Sequence, residues 1–387
     1  MENMQYPVLA LGFRPFFLLA ALVSAIWIPL WMLFFYGLIR LEPALPGSLW
    51  HGHEMIFGYA GAVIAGFLLT AVRNWTGEDT AVGAWLGGLV VLWMLSRVMN
   101  LVVGLPPVAL AIIDPLFFLF LAVGLFRPLW RTGNRRNLPM VVIVLLFGAL
   151  DCLTHLGDLG GTGWPAQNAL RVAVDLVAVL MVLIGGRVIA MFTRNAVPEA
   201  PVHRVAWFDR LAIGGVVAAL VMELVFGLEP LTAAVFVLAG LANILRLSTW
   251  GGLATLQKPI LWVLHLGYLW IGIGLLLRGA SVFVAAVPED MGLHALTAGA
   301  IGTLTLGMMT RVSLGHTGRP IVAPRVSTIG FVLVSLSALI RMLGSVLSVY
   351  HDALVVVSAG LWALAFAAFL LNFFPILTAP RADGKPG

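Results

Sequence analysis

Apolar residues are grouped along the chain into long blocks, and prolines, glycines and charged residues punctuate most of the gaps between them. The blocks begin near residues 16, 50, 81, 107, 138, 166, 205, 230, 259, 291, 325 and 352. Each runs for roughly 20 to 28 residues, and at about 1.5 Å per residue a helix of that length matches a hydrocarbon core of about 30 Å. The pattern predicts about 12 transmembrane helices.

Composition excludes a soluble globular protein, because 61% of the 387 residues are hydrophobic, 10% are charged and the mean hydropathy is +1.04. An all-α integral membrane protein in a lipid bilayer is predicted. No gap between blocks is long enough for a soluble domain, so residues 1–387 are expected to form a single polytopic membrane domain with a short polar tail at 380–387. The lone Cys152 excludes an internal disulfide, so histidines must hold any metal.

The cations are distributed unequally between the two sides of these predicted spans. Of the 22 lysines and arginines, those opposite the N-terminal side are Arg40, Arg97, Arg171, Arg278 and Arg341. Because cationic loops stay in the cytoplasm, both termini are predicted to be cytoplasmic. The net charge of +5 then follows from topology, and no nucleic-acid partner is predicted.

Two segments of the chain repeat each other at an offset of 241 positions, namely His53 to Gly77 and His294 to Gly318. Gly58, Gly61, Gly66 and Thr76 match Gly299, Gly302, Gly307 and Thr317. A histidine at a helix head with glycines below it suits a haem clamped between two helices, with His53 and His294 as axial ligands. Close packing of small-residue helices, with the histidines as polar caps, explains the same pattern.

The predicted topology sorts the histidines by depth, with His51, His53, His155, His294 and His351 at the periplasmic end of their spans. Two residues apart in one helical turn, His51 and His53 point about 200° away from each other. They are therefore assigned to different sites, with His53 for haem and His51 and His155 for a second metal. His265, about two turns inside the ninth span, either bonds a neighbouring helix or ligates a cofactor.

Carboxylates accompany these histidines. Asp151 and His155 are four residues apart and share a helix face, which suits a metal ligand with its partner, a proton-entry point or a helix-end hydrogen bond. Together with Glu54 and Asp158, Asp151 is predicted to deliver protons to a reaction inside the membrane.

Arginines inside the membrane have a structural and a functional interpretation. In the structural interpretation, Arg97 neutralises Asp114 and Arg171 neutralises Asp175. In the functional interpretation, such arginines contact haem propionates, and Arg171 is predicted to bind the cofactor in this way. On the cytoplasmic side, Arg187 and Arg311 belong to a polar cluster. Topology explains these two arginines, but the neighbouring Asn, Trp, Thr and Gly residues also suit a quinone head-group or an anion.

Several motifs together resemble the NnrS family over nearly the whole chain. They are Leu11-Gly12-Phe13-Arg14-Pro15-Phe16-Phe17, His51-Gly52-His53-Glu54-Met55, Asn74-Trp75-Thr76-Gly77, Gly185-Gly186-Arg187-Val188-Ile189, Phe192-Thr193-Arg194-Asn195, His294-Ala295-Leu296-Thr297-Ala298-Gly299 and Leu314-Gly315-His316-Thr317-Gly318-Arg319. The resemblance implies a multi-pass protein of the bacterial inner membrane that contains haem and copper and responds to nitric oxide. It also implies a link with denitrification and nitrosative stress.

The chain is also similar to haem-copper oxidases and nitric oxide reductases, which have twelve spans and a bis-histidine haem between their second and tenth helices. It lacks the paired histidines that oxidases carry on their seventh helix. The similarity implies reduction of nitric oxide to nitrous oxide with electrons from membrane quinol. Haem, if bound, is predicted to be b-type, because the chain has no Cys-x-x-Cys-His motif. The alternative is a non-catalytic nitric oxide sensor or a protein that handles haem and copper.

Overall fold

The computed structural model describes residues 6–101, 105–159 and 164–385. Within these ranges the chain forms twelve long helical segments and no strand. They are α1 Phe13–Phe35, α2 Gly47–Thr76, α3 Gly83–Met99, α4 Pro107–Arg131, α5 Pro139–Asp158, α6 Ala166–Ala196, α7 Ala206–Phe226, α8 Pro230–Ser248, α9 Pro259–Phe283, α10 Glu289–His316, α11 Arg325–Val346 and α12 His351–Thr378. The prediction of an all-helical chain is confirmed for this part of the protein.

Ten of these helices are long and apolar enough to cross a membrane, which makes the chain a multi-pass membrane protein. The two others are α3, which has only 17 residues, and α7, which carries Asp209, Arg210 and Glu223 within 21 residues. Twelve spans with both termini in the cytoplasm therefore remain a prediction.

Two of the helices contain a π-helical stretch, in which the hydrogen bonds reach five residues back and the helix is wider. In α2 the stretch is Glu54–Ala60, and in α10 it is Ala295–Gly302. Each begins at the residue after the repeat histidine, His53 or His294. The internal repeat seen in the sequence is thus also a repeat of backbone structure, and such stretches are rare and frequently occur at functional sites.

The residues divide into two compact units. Unit 1 comprises 1–173, 312–320 and 370–387, and unit 2 comprises 174–311 and 321–369. The interior of unit 1 contains an aromatic cluster in which the ring centroids of Phe57 and Phe147 are 4.9 Å apart, and those of Phe118 and Phe147 are 5.2 Å apart. His53 lies beside this cluster, with its ring centroid 5.2 Å from that of Phe57.

The C-terminal segment packs back onto unit 1. The buried Arg14 donates from Nη1 to the carbonyl oxygens of Leu377 and Ala379, at 3.0 and 2.7 Å. In the polar tail, the Arg381 guanidinium bonds both carboxylate oxygens of Asp383 and holds the pKa of that carboxyl group well below its usual range. The tail is therefore ordered by ion pairing as far as these residues.

Candidate metal centre

Four side chains from three helices of unit 1 converge on one point that is completely shielded from solvent. His53 lies on α2, Asp114 on α4, and Asp151 and His155 on α5; each is 0% exposed. Each offers a ligand atom, and all four atoms lie within 4.8 Å of one another. We call these four residues the metal cluster.

Distances within the metal cluster suit a small cation. His53 Nε2 is 2.7 Å from Asp151 Oδ1 and 3.5 Å from Asp114 Oδ2. His155 Nε2 is 3.0 Å from Asp114 Oδ2 and 3.9 Å from Asp151 Oδ1. A tetrahedral ion with bonds of about 2.0–2.1 Å holds its ligand atoms about 3.3 Å apart, and the four observed distances lie on both sides of that value.

Local structure explains how the cluster is assembled. Asp151 and His155 are separated by one turn of α5 and so face the same direction. His53 is the last residue before the π-helical stretch of α2, and the adjacent Glu54 is also fully buried. Asp114 enters from α4, whose pairing with α5 is among the most extensive in unit 1.

A second layer of polar side chains fixes the orientation of the ligands. His53 Nδ1 lies 3.0 Å from Glu54 Oε1, to which it donates in the tautomer that keeps the Nε2 lone pair directed at the cluster. Ser96 Oγ donates to Asp114 Oδ1 at 2.5 Å, and Asn100 Nδ2 donates to Asp114 Oδ2 at 2.6 Å. Metal-bound imidazoles and carboxylates characteristically have such outer partners.

The charges around the cluster are unbalanced without a cation. Glu54, Asp114 and Asp151 are three buried carboxylates, and the guanidinium of Arg97 lies among them, 3.0 Å from Glu54 and 3.8 Å from Asp114. When both imidazoles are neutral, two negative charges remain uncompensated in a medium where unpaired charge is costly. A divalent ion would supply the missing charge, as would protons on the two imidazoles, which lie 2.7 and 3.0 Å from carboxylate oxygens.

An unpartnered atom at the cluster supports the same conclusion. Asp151 Oδ2, the second oxygen of a ligand carboxylate, is buried and has no hydrogen-bond partner among the described residues. Buried polar atoms in native proteins are nearly always hydrogen-bonded or ligated. The donor set, its spacing and this atom together fit a bound metal ion.

Not all residues predicted for sites in unit 1 belong to this cluster. His51 stacks on Trp31, with ring centroids 5.1 Å apart, and is outside the four-ligand set. Asp158 ends α5, and its side chain lies outside the described part of the chain. The predicted contact between Arg97 and Asp114 is confirmed, but the role of Asp114 as a ligand was not predicted.

The site residues predicted in unit 2 have separate environments. His265 Nε2 is 2.8 Å from Thr193 Oγ1, which agrees with a histidine bonded to a neighbouring helix. The guanidinium of Arg311 lies 3.7 Å from the centre of the Phe192 ring. Asp175 pairs with Arg278, whereas its predicted partner was Arg171. Arg187, in unit 2, and Arg171, in unit 1, also make contacts and stay predictions as cofactor ligands.

For haem, the structure fits one part of the prediction and not another. His294 donates from Nδ1 to the Asp290 carbonyl oxygen at 2.7 Å, which leaves the Nε2 lone pair for a metal. The glycines below it, however, face side chains: a Cβ on Gly299 would lie 2.7 Å from Trp270, and one on Gly302 would collide with Trp362. As the side chains stand, a macrocycle does not fit against these glycines.

The glycines of α2 are covered in the same way. A Cβ on Gly61 would lie 3.1 Å from Phe118, and one on Gly66 would lie 2.9 Å from Phe17. Close packing therefore accounts for the small-residue face, as the alternative interpretation proposed.

Fold and site together define a multi-pass helical membrane protein with a buried cluster that can hold a metal. The chain belongs to the NnrS family: the NnrS protein family model matches residues 7–381 of 387. That family is linked to the nitric oxide response and is generally associated with metal and haem. A comparison with curated proteins finds no significant match.

Proposed function

We propose that this protein removes nitric oxide at the bacterial inner membrane by reducing it to nitrous oxide with electrons from membrane quinol. The observation that carries the proposal is the buried metal cluster of His53, Asp114, Asp151 and His155 in a protein of this family. Nitric oxide is small and apolar, so it enters from the bilayer without a polar channel. A buried metal is well placed to bind it.

The donor set narrows the choice of metal. Two imidazoles and two carboxylates suit iron(II), manganese(II) or zinc(II), whereas copper(I) prefers sulfur ligands. Of these, iron(II) both binds nitric oxide and changes oxidation state, so we propose iron(II) for the cluster. The family resemblance implies copper instead, and a measurement of the metal content of the purified protein distinguishes iron from copper.

The proposed reaction consumes protons, which carboxyl groups near the metal cluster can supply. Two molecules of nitric oxide and one quinol yield one nitrous oxide, one water and one quinone, so two electrons and two protons are transferred. Glu54 Oε2 is unpartnered beside His53, so this oxygen can carry a proton without breaking an existing hydrogen bond. A proton on Asp151 would remove a charge that holds the ion, so Asp151 is proposed as a ligand and not as the proton donor. Asp158, at the end of α5, is the proposed entry point for these protons.

The proposed reaction is tested with membranes that contain the full-length protein and are supplied anaerobically with reduced quinone. We expect continuous nitric oxide consumption, with nitrous oxide formed at half the molar rate, and loss of this activity in His155→Ala. A sensor or a haem- and copper-handling protein binds nitric oxide in a fixed ratio to its metal and then stops. Stoichiometric binding with every quinol tried would overturn the reductase proposal.

For haem, we propose that His294 is an axial ligand of haem b, with Trp270 and Trp362 displaced from the glycines below it, while His53 serves the metal cluster. Both ring nitrogens of His53 already lie against carboxylates, at 3.0 Å from Glu54 and 2.7 Å from Asp151. His53 is therefore assigned to the metal cluster and not to the haem. No step of the proposed reaction depends on this haem.

His294→Ala is expected to lose most of its haem b in a pyridine extraction and to keep the metal ion of the cluster. His203→Ala and His351→Ala serve as matched histidine controls and should retain haem. His53→Ala should also retain haem, and loss of haem in this variant would contradict the assignment of His53 to the metal cluster alone. Equal haem content in all four variants would remove His294 as a ligand.

A further inference from the structure

A second buried ionic cluster lies in unit 2 and has no part in the function proposed above. It consists of Asp175 on α6, Glu223 on α7 and Arg278 on α9, whose side chains are 3%, 6% and 1% exposed. Arg278 Nη1 donates to Asp175 Oδ1, and Nη2 donates to Glu223 Oε1 and Oε2 at 2.5 and 2.6 Å. Both carboxylates thus share one guanidinium.

The charges of these three residues, here called the Asp175–Glu223–Arg278 triad, do not balance. Two carboxylates face a single cation, and a further charged group that acts on Arg278 is also an acid, Glu289 at the head of α10. The guanidinium of Arg278 also lies 4.7 Å from the centroid of the Phe236 ring on α8. This ring carries no formal charge. Among the described residues no second cation forms an ion pair with Asp175 or Glu223.

One oxygen of the triad is distinguished from the others. Asp175 Oδ1 and both oxygens of Glu223 accept hydrogen bonds from Arg278, whereas Asp175 Oδ2 is buried and accepts none. A proton on Asp175 Oδ2 therefore cancels the excess charge without removing any bond to Arg278. An uncompensated carboxylate in a membrane interior is otherwise costly, and acids at such positions commonly carry protons.

We propose that Asp175 and Glu223 hold one shared proton against Arg278, so that the triad is a proton-binding site within unit 2. Its ligand is the proton itself, and its site is separate from the carboxylates of the metal cluster. The proposal does not rest on the reaction assigned to the protein.

The chain contains a natural control with the opposite ratio of charges. Asp209 lies 2.7 Å from Arg246 Nε and 3.0 Å from Arg204 Nε, so one carboxylate faces two cations. No excess negative charge is left at Asp209, although it lies on α7 like Glu223.

Infrared spectroscopy of the full-length protein in lipid nanodiscs tests the proposal. We expect a carbonyl stretch from a protonated carboxylic acid that shifts in deuterated water and equals one group per chain in the difference between wild type and variant. Asp175→Asn and Glu223→Gln should each abolish this band, because the remaining acid then pairs one-to-one with Arg278 and ionises. Asp209→Asn should leave the band unchanged.

Two results would overturn the proposal that Asp175 and Glu223 share a proton. One is a wild-type spectrum without any exchange-sensitive carboxylic acid band. The other is a band that persists in both Asp175→Asn and Glu223→Gln. Because each of these changes removes the excess charge, both variants should fold. If either fails to fold, raising the pH of the wild-type protein must still remove the band, and a wild-type spectrum constant with pH contradicts a site that binds and releases a proton.

Discussion

Asp151→Asn is expected to empty the metal cluster. Asp151 Oδ1 is one of the two carboxylate oxygens that the metal cluster offers to an ion, and it lies 2.7 Å from His53 Nε2. An amide at this position keeps the shape of the side chain but removes one of the charges that hold a divalent ion. Because loss of an outer-layer partner alone costs about 10–100-fold in metal affinity, loss of a direct ligand should cost at least as much.

The measurement is the metal content of purified full-length protein after equilibration with iron(II), zinc(II) or copper and removal of the excess. We expect about one divalent ion per chain in the wild type, and less than about a tenth of that in Asp151→Asn and His155→Ala, as at least tenfold weaker binding requires. Asp209→Asn in unit 2 is the matched control and should retain the ion. Full occupancy in Asp151→Asn, or none in the wild type, would contradict the assignment.

Most of the fold is predictable from the sequence because the bilayer fixes how long an apolar helix must be. The predicted starts near residues 107, 166, 230 and 259 coincide with α4, α6, α8 and α9 to within one residue. Two helices, α3 and α7, are too short or too charged to be recognised as spans by length and hydropathy. Length and hydropathy do not show which buried charges have a partner on another helix. In α7, Glu223 pairs with Arg278 of α9, a partner that is 55 positions away in the sequence.

The metal cluster was partly predictable. The four-residue spacing of Asp151 and His155 indicates a shared helix face, and His53 stands out because the repeat pairs it with His294. Asp114 was expected to meet Arg97, and it does, but its lone pairs also meet both histidines. Joining α2, α4 and α5 at one point depends on how the helices rotate against each other, and spacing within one helix does not determine that rotation.

The two repeat segments share a structural feature other than the cofactor-binding face that the sequence predicts. The sequence pattern predicts room for a macrocycle at the glycines below His53 and His294. In the structure these glycines admit the aromatic side chains of Phe17, Phe118, Trp270 and Trp362. What the two segments do share is a π-helical stretch that begins directly after the histidine, and residue type alone gives no signal for it.

Glu54→Gln is expected to slow nitric oxide turnover and to leave the metal ion and haem in place. Glu54 is not one of the four ligands, and a glutamine oxygen can still accept the hydrogen bond from His53 Nδ1, which lies 3.0 Å from Glu54 Oε1. The variant loses the ability to carry a proton on Oε2, the oxygen that has no partner in the structure. General acid catalysis contributes about 10²–10⁴-fold, so we expect quinol-driven consumption to fall by at least about tenfold.

Glu42→Gln provides the matched control, because Glu42 is an exposed glutamate of the same unit and should support wild-type turnover. Metal content, haem content and the thermal unfolding midpoint are measured on both variants, since Glu54 also pairs with Arg97 at 3.0 Å. A slow Glu54→Gln enzyme with full metal and haem content supports proton delivery through Glu54. Undiminished turnover would show that protons reach the site by another group, and loss of the metal ion would show that Glu54 supports the ligands and does not act as an acid.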